Sequence, residues 1–173
     1  MRIVGGKHAG RDLTSPTDRR VRPTAEDVRV ALITRLLPDL PGARVLELFA
    51  GTGALGLEAL SRGARYVDFV EFGRGSLHAL KANIAALRVR EKCRVYIEDA
   101  LPFAASLEAD AYDVVFVDPP YGSRMLDRVI DHWREQRFSR VLAVEHARTH
   151  PLPPGEWRRV IRDSAVTVYR QGV

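Results

Sequence analysis

From Ala43 onward, short apolar runs alternate with stretches whose apolar residues recur at helical spacing. The runs predict strands at 43–48, 65–70, 93–97, 112–117 and 139–145, and the helical stretches fall between them at 53–62, 74–88, 101–108 and 124–136. Alternation of this kind implies a mostly parallel sheet with helices on both faces. The final runs, 157–162 and 164–170, leave no room for a crossover helix and predict an antiparallel pair that completes a seven-stranded sheet.

A different pattern precedes this core. Arg2-Ile3-Val4, a turn from Gly5 to Gly10 and Arg11-Asp12-Leu13 predict a small β-hairpin, followed by a polar arm from Thr14 to Arg22. Thr24 is expected to cap a helix running to Leu37, with Asp27 as its capping-box partner and Pro38 ending it. The chain therefore divides into a basic N-terminal extension, 1–40, and a core domain, 41–173. A length of 173 residues suits one three-layer domain and no second large one.

Composition narrows the class. With 46% hydrophobic and 28% charged residues the chain resembles an ordinary globular protein, and no apolar stretch approaches the ~20 residues that span a bilayer. The N-terminal residues lack the apolar core of a secretory leader, so a cytoplasmic location without membrane attachment is expected. Cys93 is the single cysteine, which excludes an internal disulfide or thiolate zinc cluster and suggests a packed thiol. His8, His78, His132, His146 and His150 show no catalytic spacing, and no metal site is expected.

The net charge of +5 is uneven. Residues 1–40 carry eight Lys/Arg against five Asp/Glu, residues 41–120 nine against eleven, and residues 121–173 ten against six. Basic ends around an acidic middle suit an anionic macromolecule held beside a pocket for a cationic small molecule.

Candidate chemistry begins where the run Val114-Val115-Phe116-Val117 ends in Asp118-Pro119-Pro120-Tyr121. Prolines donate no backbone N–H, so the Asp118 carboxylate and the Pro119 carbonyl can both face an amine, with Tyr121 as a stacking platform. A strand-ending turn is the plain alternative. The segment Glu47-Leu48-Phe49-Ala50-Gly51-Thr52-Gly53-Ala54-Leu55-Gly56 separates the two readings. Its glycines fit any ligand that approaches the backbone closely, while Glu47 would repel a pyrophosphate and attract an ammonium. Glu71 ends the second strand and can accept from a ribose diol. Asp99 follows the third and can accept from an adenine amine, with the Ala100 backbone beside it. Acids after three successive strands, with Ala50, Gly51, Thr52 and Gly53 in the loop, point to S-adenosylmethionine.

Several segments together resemble the RsmD family. They are Arg2-Ile3-Val4-Gly5-Gly6-Lys7, Gly10-Arg11, Arg22-Pro23-Thr24 with Val28-Arg29, the run from Phe49 to Ala64, and Asp118-Pro119-Pro120-Tyr121. The resemblance implies a Rossmann-like class I S-adenosylmethionine-dependent methyltransferase that modifies the exocyclic N2 amine of a guanine in bacterial small-subunit (16S) ribosomal RNA, free or in an assembly particle. The chain departs from the family pattern at Glu47, where the family often has Asp, at Asp27 and Val30, and at Arg162-Asp163-Ser164-Ala165.

Asp118, Pro119, Pro120 and Tyr121 are the expected catalytic residues. Arg2, Lys7, Arg11, Arg20, Arg22 and Arg29 are the expected RNA contacts, on a segment with little apolar content of its own. A base whose amine is hidden by pairing must be single-stranded or flipped out. A monomer is expected. The alternatives are methylation of adenine N6 or another amine at the same tetrapeptide, a non-catalytic RNA-binding protein, and an NAD-dependent oxidoreductase. The last lacks a substrate domain and an acid-base pair.

Overall fold

Residues 1–16 and 24–172 are described by a computed structural model. In chain order the elements are α1 (Glu26–Leu36), β1 (Arg44–Leu48), α2 (Ala54–Ser61), β2 (Tyr66–Val70), α3 (Arg74–Leu87), β3 (Cys93–Tyr96), α4 (Ala100–Ala105), β4 (Tyr112–Val117), α5 (Met125–Gln136), β5 (Ser139–Ala147), β6 (Trp157–Ile161) and β7 (Ser164–Arg170). One sheet joins the strands in the order β3-β2-β1-β4-β5-β7-β6. The first five run parallel, and β7 is antiparallel to both β5 and β6.

The central strands read as unbroken apolar runs because both of their faces are covered. Val45, Val114, Phe116 and Val141 pack with Leu32 of α1, Leu57 of α2 and Leu80 of α3. Residues of opposite parity, Leu46, Val115, Val117 and Leu142, pack with Ala104 of α4 and with Val129 and Trp133 of α5. Reversal of strand order on either side of β1 opens a crevice at the carboxyl edge of the parallel strands, where open α/β sheets bind ligands.

The expected N-terminal hairpin is present. Arg2 faces Asp12 in an antiparallel bridge, and the Ile3 N–H donates to the Arg11 carbonyl at 2.9 Å. Ile3 and Leu13 are buried in the same core as α1, α2 and α3, so the hairpin is packed into the main body. At Gly6, with φ +80°, an added Cβ would lie 2.0 Å from the Ser61 carbonyl oxygen. That close approach seats the hairpin on the end of α2, where the Lys7 N–H donates to the same carbonyl at 2.8 Å.

Two expectations fail here. Thr24 does not cap α1: the N-cap is Ala25, without a side-chain hydrogen bond, because the Thr24 hydroxyl donates instead to Asp118 Oδ2 at 2.7 Å. Asp27 accepts from the Val28 N–H and from Arg162, so no capping box forms. Arg29 is not an RNA contact. Its side chain is fully buried, donates to the Arg2 carbonyl at 2.7 Å and pairs with buried Glu58 at 3.5 Å. Glu58 also accepts from the Val4 N–H and lies 3.8 Å from Arg62. Arg29 thus ties the hairpin to α2.

Candidate active site

Every parallel strand delivers an acid to the same edge. Glu47 lies in β1 and Glu145 in β5, while Glu71, Asp99 and Asp118 follow β2, β3 and β4. In the sheet order these form a row: Asp99, Glu71, Glu47, Asp118, Glu145.

The loop from β1 to α2 is held by its neighbours. Phe49 adopts φ +56°, a left-handed conformation that costs about 1–3 kcal/mol in a non-glycine residue and recurs at functional turns. A Cβ at Gly53, where φ is +77°, would meet Leu80 Cδ1 at 2.4 Å, so the turn can sit on α3 only with glycine there. A Cβ at Gly51 would meet nothing within 4 Å, and that face of the loop is open. Buried Thr52 gives its carbonyl to Asn83 Nδ2 at 3.1 Å, and Asn83 also bonds both backbone groups of Thr14. Asn83 therefore couples the N-terminal arm to the loop, a role with no motif to announce it.

Glu71 pins the loop from the adjacent strand. Its Oε2 accepts from the Gly51 N–H at 2.8 Å, and its Oε1 accepts from the Phe72 and Gly73 N–H groups at 2.9 and 2.7 Å. Half-buried, it still presents acceptor capacity to the open side. Asp99 is exposed and caps α4 through the Leu101 N–H at 3.1 Å, with Ala100 buried behind it. Glu47 is turned inward: it is buried and its Oε2 accepts from the Gly56 N–H at 2.8 Å. Burial pushes its carboxyl up to about 8, against the Gly56 and Leu55 N–H bonds that favour the charged form and with the charges of Asp118 and Glu71 adding to the rise. In the free protein Glu47 closes the start of α2.

Beside these acceptors stand Phe72, 63% exposed, and Ile97, 58% exposed. The Glu71 N–H donates to the Tyr96 carbonyl at 3.1 Å, so the two strand ends are neighbours. Acceptors for a diol, exposed apolar surface for a flat ring, and an open backbone at Gly51 fit S-adenosylmethionine. Phe72 and Ile97 carry no motif and escape a sequence reading, although Phe72 directly follows Glu71 and Ile97 directly follows β3.

At the catalytic tetrapeptide, Asp118 is half-buried, with the Thr24 hydroxyl on Oδ2, and the register of β4 and β5 sets Glu145 beside it. Burial raises its carboxyl to about 6, and the Thr24 hydroxyl and the neighbouring Glu145 hold that rise back. Pro119 is buried, while the Pro120 carbonyl accepts from Ser123 Oγ at 2.9 Å and Gly122 turns the chain at φ +77°. Tyr121 is 44% exposed, its hydroxyl donating to Glu145 Oε1 at 3.0 Å and sharing a 2.6 Å hydrogen bond with Ser164 Oγ. Its ring is thus anchored at one end with surface left open for stacking.

Among the expected RNA contacts, Arg2 and Lys7 are exposed on the hairpin. Arg11 is exposed too, but its guanidinium donates to the Ala86 carbonyl at 2.8 Å. Arg20 and Arg22 lie outside the described residues, and Arg29 is excluded by burial. Among the described residues no group of three or more His, Cys, Asp or Glu is placed to hold a metal ion, and no helix is long and apolar enough to cross a membrane.

The family model described as "Conserved hypothetical protein 95" matches residues 1–168. The ribosomal RNA small subunit methyltransferase D of Escherichia coli K12 is 39% identical over 162 residues, covering 91% of this chain and 81% of the relative. This chain belongs to that family. The methyltransferase D of Haemophilus influenzae is 32% identical over 163 residues, covering 91% of this chain and 84% of the relative. Among solved structures, a hypothetical protein of Thermus thermophilus superposes with a TM-score of 0.83 at 30% identity, covering 98% of this chain and 99% of that one. A 16S rRNA N2 G1207 methyltransferase of the same organism, solved with AdoMet and guanosine, shares the fold: its TM-score is 0.66 at 18% identity, over 85% of this chain and 43% of that one. Membership of the methyltransferase D family agrees with the S-adenosylmethionine-dependent chemistry read from the row of acids.

Proposed function

We propose that the protein transfers the methyl group of S-adenosylmethionine to the exocyclic N2 amine of a guanine in small-subunit ribosomal RNA. The observation that carries this reading is the position of Asp118-Pro119-Pro120-Tyr121 at the end of β4, next to the open glycine loop of β1, in a methyltransferase D chain. The cofactor supplies an electrophilic methyl carbon on a sulfonium. Glu71 holds the ribose hydroxyls, Asp99 and the Ala100 backbone meet the adenine amine, and Phe72 and Ile97 wall the ring. Ala50, Gly51, Thr52 and Gly53 line the close approach. Glu47 holds the Gly56 N–H from beneath the loop and so fixes the start of α2 against the cofactor.

The base amine is a weak nucleophile because its lone pair is delocalised into the ring. With its two hydrogens accepted by the Asp118 carboxylate and the Pro119 carbonyl, the nitrogen can become pyramidal, and the charge that develops on it is stabilised. Tyr121 stacks on the base and sets its plane, so that the nitrogen can be held at the ~3–3.5 Å needed for in-line attack. Arg2 and Lys7 on the hairpin hold flanking phosphates, which positions the RNA without reading its sequence. The same reading places a single copy of the chain in the cytoplasm, acting on ribosomal RNA or a small-subunit assembly particle.

Labelled methyl transfer to unmethylated small-subunit RNA or particles, followed by nucleoside analysis, tests this. N2-methylguanosine is the expected product; N6-methyladenosine would overturn the substrate. Calorimetry in which NAD binds in preference to S-adenosylhomocysteine would overturn the cofactor.

A further inference from the structure

The segment between β5 and β6 walls a cavity of about 300 Å³ that the methyl-transfer reading leaves unused. Arg148, Thr149, His150 and Arg158 line it, with buried Thr167 of β7 at its floor, and among the described residues no acid does. Leu152 of the same segment packs with the α5 side of the core, whereas Ile3 and Leu13 of the hairpin pack with α1, α2 and α3. Cavity and hairpin therefore lie on opposite faces of the sheet.

The cavity is tied to the catalytic edge. The Arg148 N–H donates to the Asp163 carbonyl on the β6–β7 turn at 2.9 Å, and the next residue of that turn, Ser164, shares its 2.6 Å hydrogen bond with the Tyr121 hydroxyl. Arg148 also stands three residues after Glu145, which accepts the Tyr121 hydroxyl. That is no more than roughly 10 Å of extended chain.

Its charge is left open. Arg35, Arg44, Arg162 and Arg170 each face a carboxylate, but Arg148 and Arg158 face none within ion-pair distance among the described residues. Arg158 instead donates to the Arg148 carbonyl at 3.0 Å, which holds two cations on one rim. Asp127 reaches that rim from α5 and is taken by His150 Nε2 at 2.9 Å. Because β6 is an edge strand, exposed cations on it can serve only to block pairing with another sheet. Arg159 fits that role. Arg158 does not, since it lines the cavity and bonds across to residue 148. Two guanidiniums with unused donors and a free threonine hydroxyl, around a space without acids, match the acceptors of a phosphate.

We propose that this cavity is a phosphate site, and that its occupant is a phosphodiester of the RNA strand carrying the target base. The choice of RNA rests on the methylation reading given above. With Arg2 and Lys7 on one face of the sheet and Arg148 and Arg158 on the other, the strand straddles the edge where Asp118 and Tyr121 stand.

The test uses the full chain with Arg148→Gln and Arg158→Gln combined, and Arg140→Gln, at the far end of β5, as a charge control. Small-subunit RNA affinity of the double variant should fall about tenfold near physiological salt, and the slope of log affinity against log salt should become shallower by about one. The control should stay within about twofold of the wild type. S-adenosylhomocysteine affinity should be unchanged in all three proteins, which also reports that they are folded. Calorimetry with inorganic phosphate at fixed ionic strength separates the two sources of the ligand.

Unchanged RNA affinity and slope in the double variant, or an equal loss in the Arg140→Gln control, would overturn the site. A double variant that loses inorganic phosphate but binds RNA as the wild type does would assign the cavity to a free phosphate compound and overturn the RNA occupant. The expected loss of RNA affinity in a protein that methylates no RNA would leave the site standing and sink the proposed function instead.

Discussion

The Thr24 hydroxyl donates to Asp118 Oδ2 at 2.7 Å, joining positions 94 apart in the chain. The start of α1 is thereby bonded to the residue proposed to grip the substrate amine. This bond favours the charged form of Asp118, whose carboxyl burial has raised to about 6. Thr24→Ala removes the donor, so the Asp118 carboxyl should rise further and a larger fraction should be protonated at any acidic pH. The acidic limb of the kcat/KM profile is expected to move upward by about one pH unit, with Thr24→Ser restoring it. An unmoved limb in Thr24→Ala would show that the bond does not tune Asp118.

Glu47 imposes a pH dependence on stability. Its folded carboxyl lies at about 8, against an ordinary value of 4.5, so the folded state binds this proton more tightly than the unfolded chain. Its contribution is full below about 4.5, is lost progressively as pH rises, and falls no further above about 8. Glu47→Gln retains an acceptor for the Gly56 N–H and cannot ionise. Urea unfolding at about pH 5 and about pH 9 should show a decline in the wild type, at most on the order of 4 kcal/mol, that the variant lacks. Parallel declines in both proteins would assign the effect to other groups.

Phe72 is expected to serve the cofactor and not the fold. At 63% exposure, its truncation to alanine leaves little unfilled space. Phe72→Ala should weaken S-adenosylhomocysteine binding about tenfold while thermal unfolding stays unchanged. Unchanged calorimetric affinity would remove Phe72 from the ring site.

The arginines of the N-terminal unit should separate by role. Arg29→Met leaves Glu58 charged among buried groups and is expected to cost about 3–5 kcal/mol in denaturant unfolding, because removing one partner of a buried pair strands the other. Arg2→Glu and Lys7→Glu lie on the exposed hairpin and should leave stability unchanged. They should weaken RNA binding and make its dependence on salt shallower. RNA affinity insensitive to both substitutions would move the binding surface away from the hairpin.

Much of this fold can be read along the chain, since β1 to β5 are apolar runs with helical stretches between them and a parallel sheet needs that alternation. The observed ends of β4 and β7 coincide with the expected ones, and β3 stops at Tyr96, one residue before expected. Local polar expectations fared worse. Thr24 carries the composition of an N-cap, but a carboxylate brought from β4 offers its hydroxyl a charged acceptor. Arg29 reads as a phosphate contact because a charged residue usually points to water; here Glu58 and the Arg2 carbonyl compensate its burial. Asn83 and Phe72 acquire their roles only when α3 and the end of β2 meet the glycine loop.

By itself the sequence determined the elements, the glycine loop, the acids Glu47, Glu71 and Asp99, and the Asp118-Pro119-Pro120-Tyr121 tetrapeptide, because these depend on spacing within a few turns or one strand. Only the tertiary structure decided which of those acids face outward and that Glu145 stands beside Asp118. The reason is physical: the order β2-β1-β4-β5 is a property of strand pairing between distant segments, and burial, not residue type, decides whether a glutamate faces a ligand or closes the start of a helix.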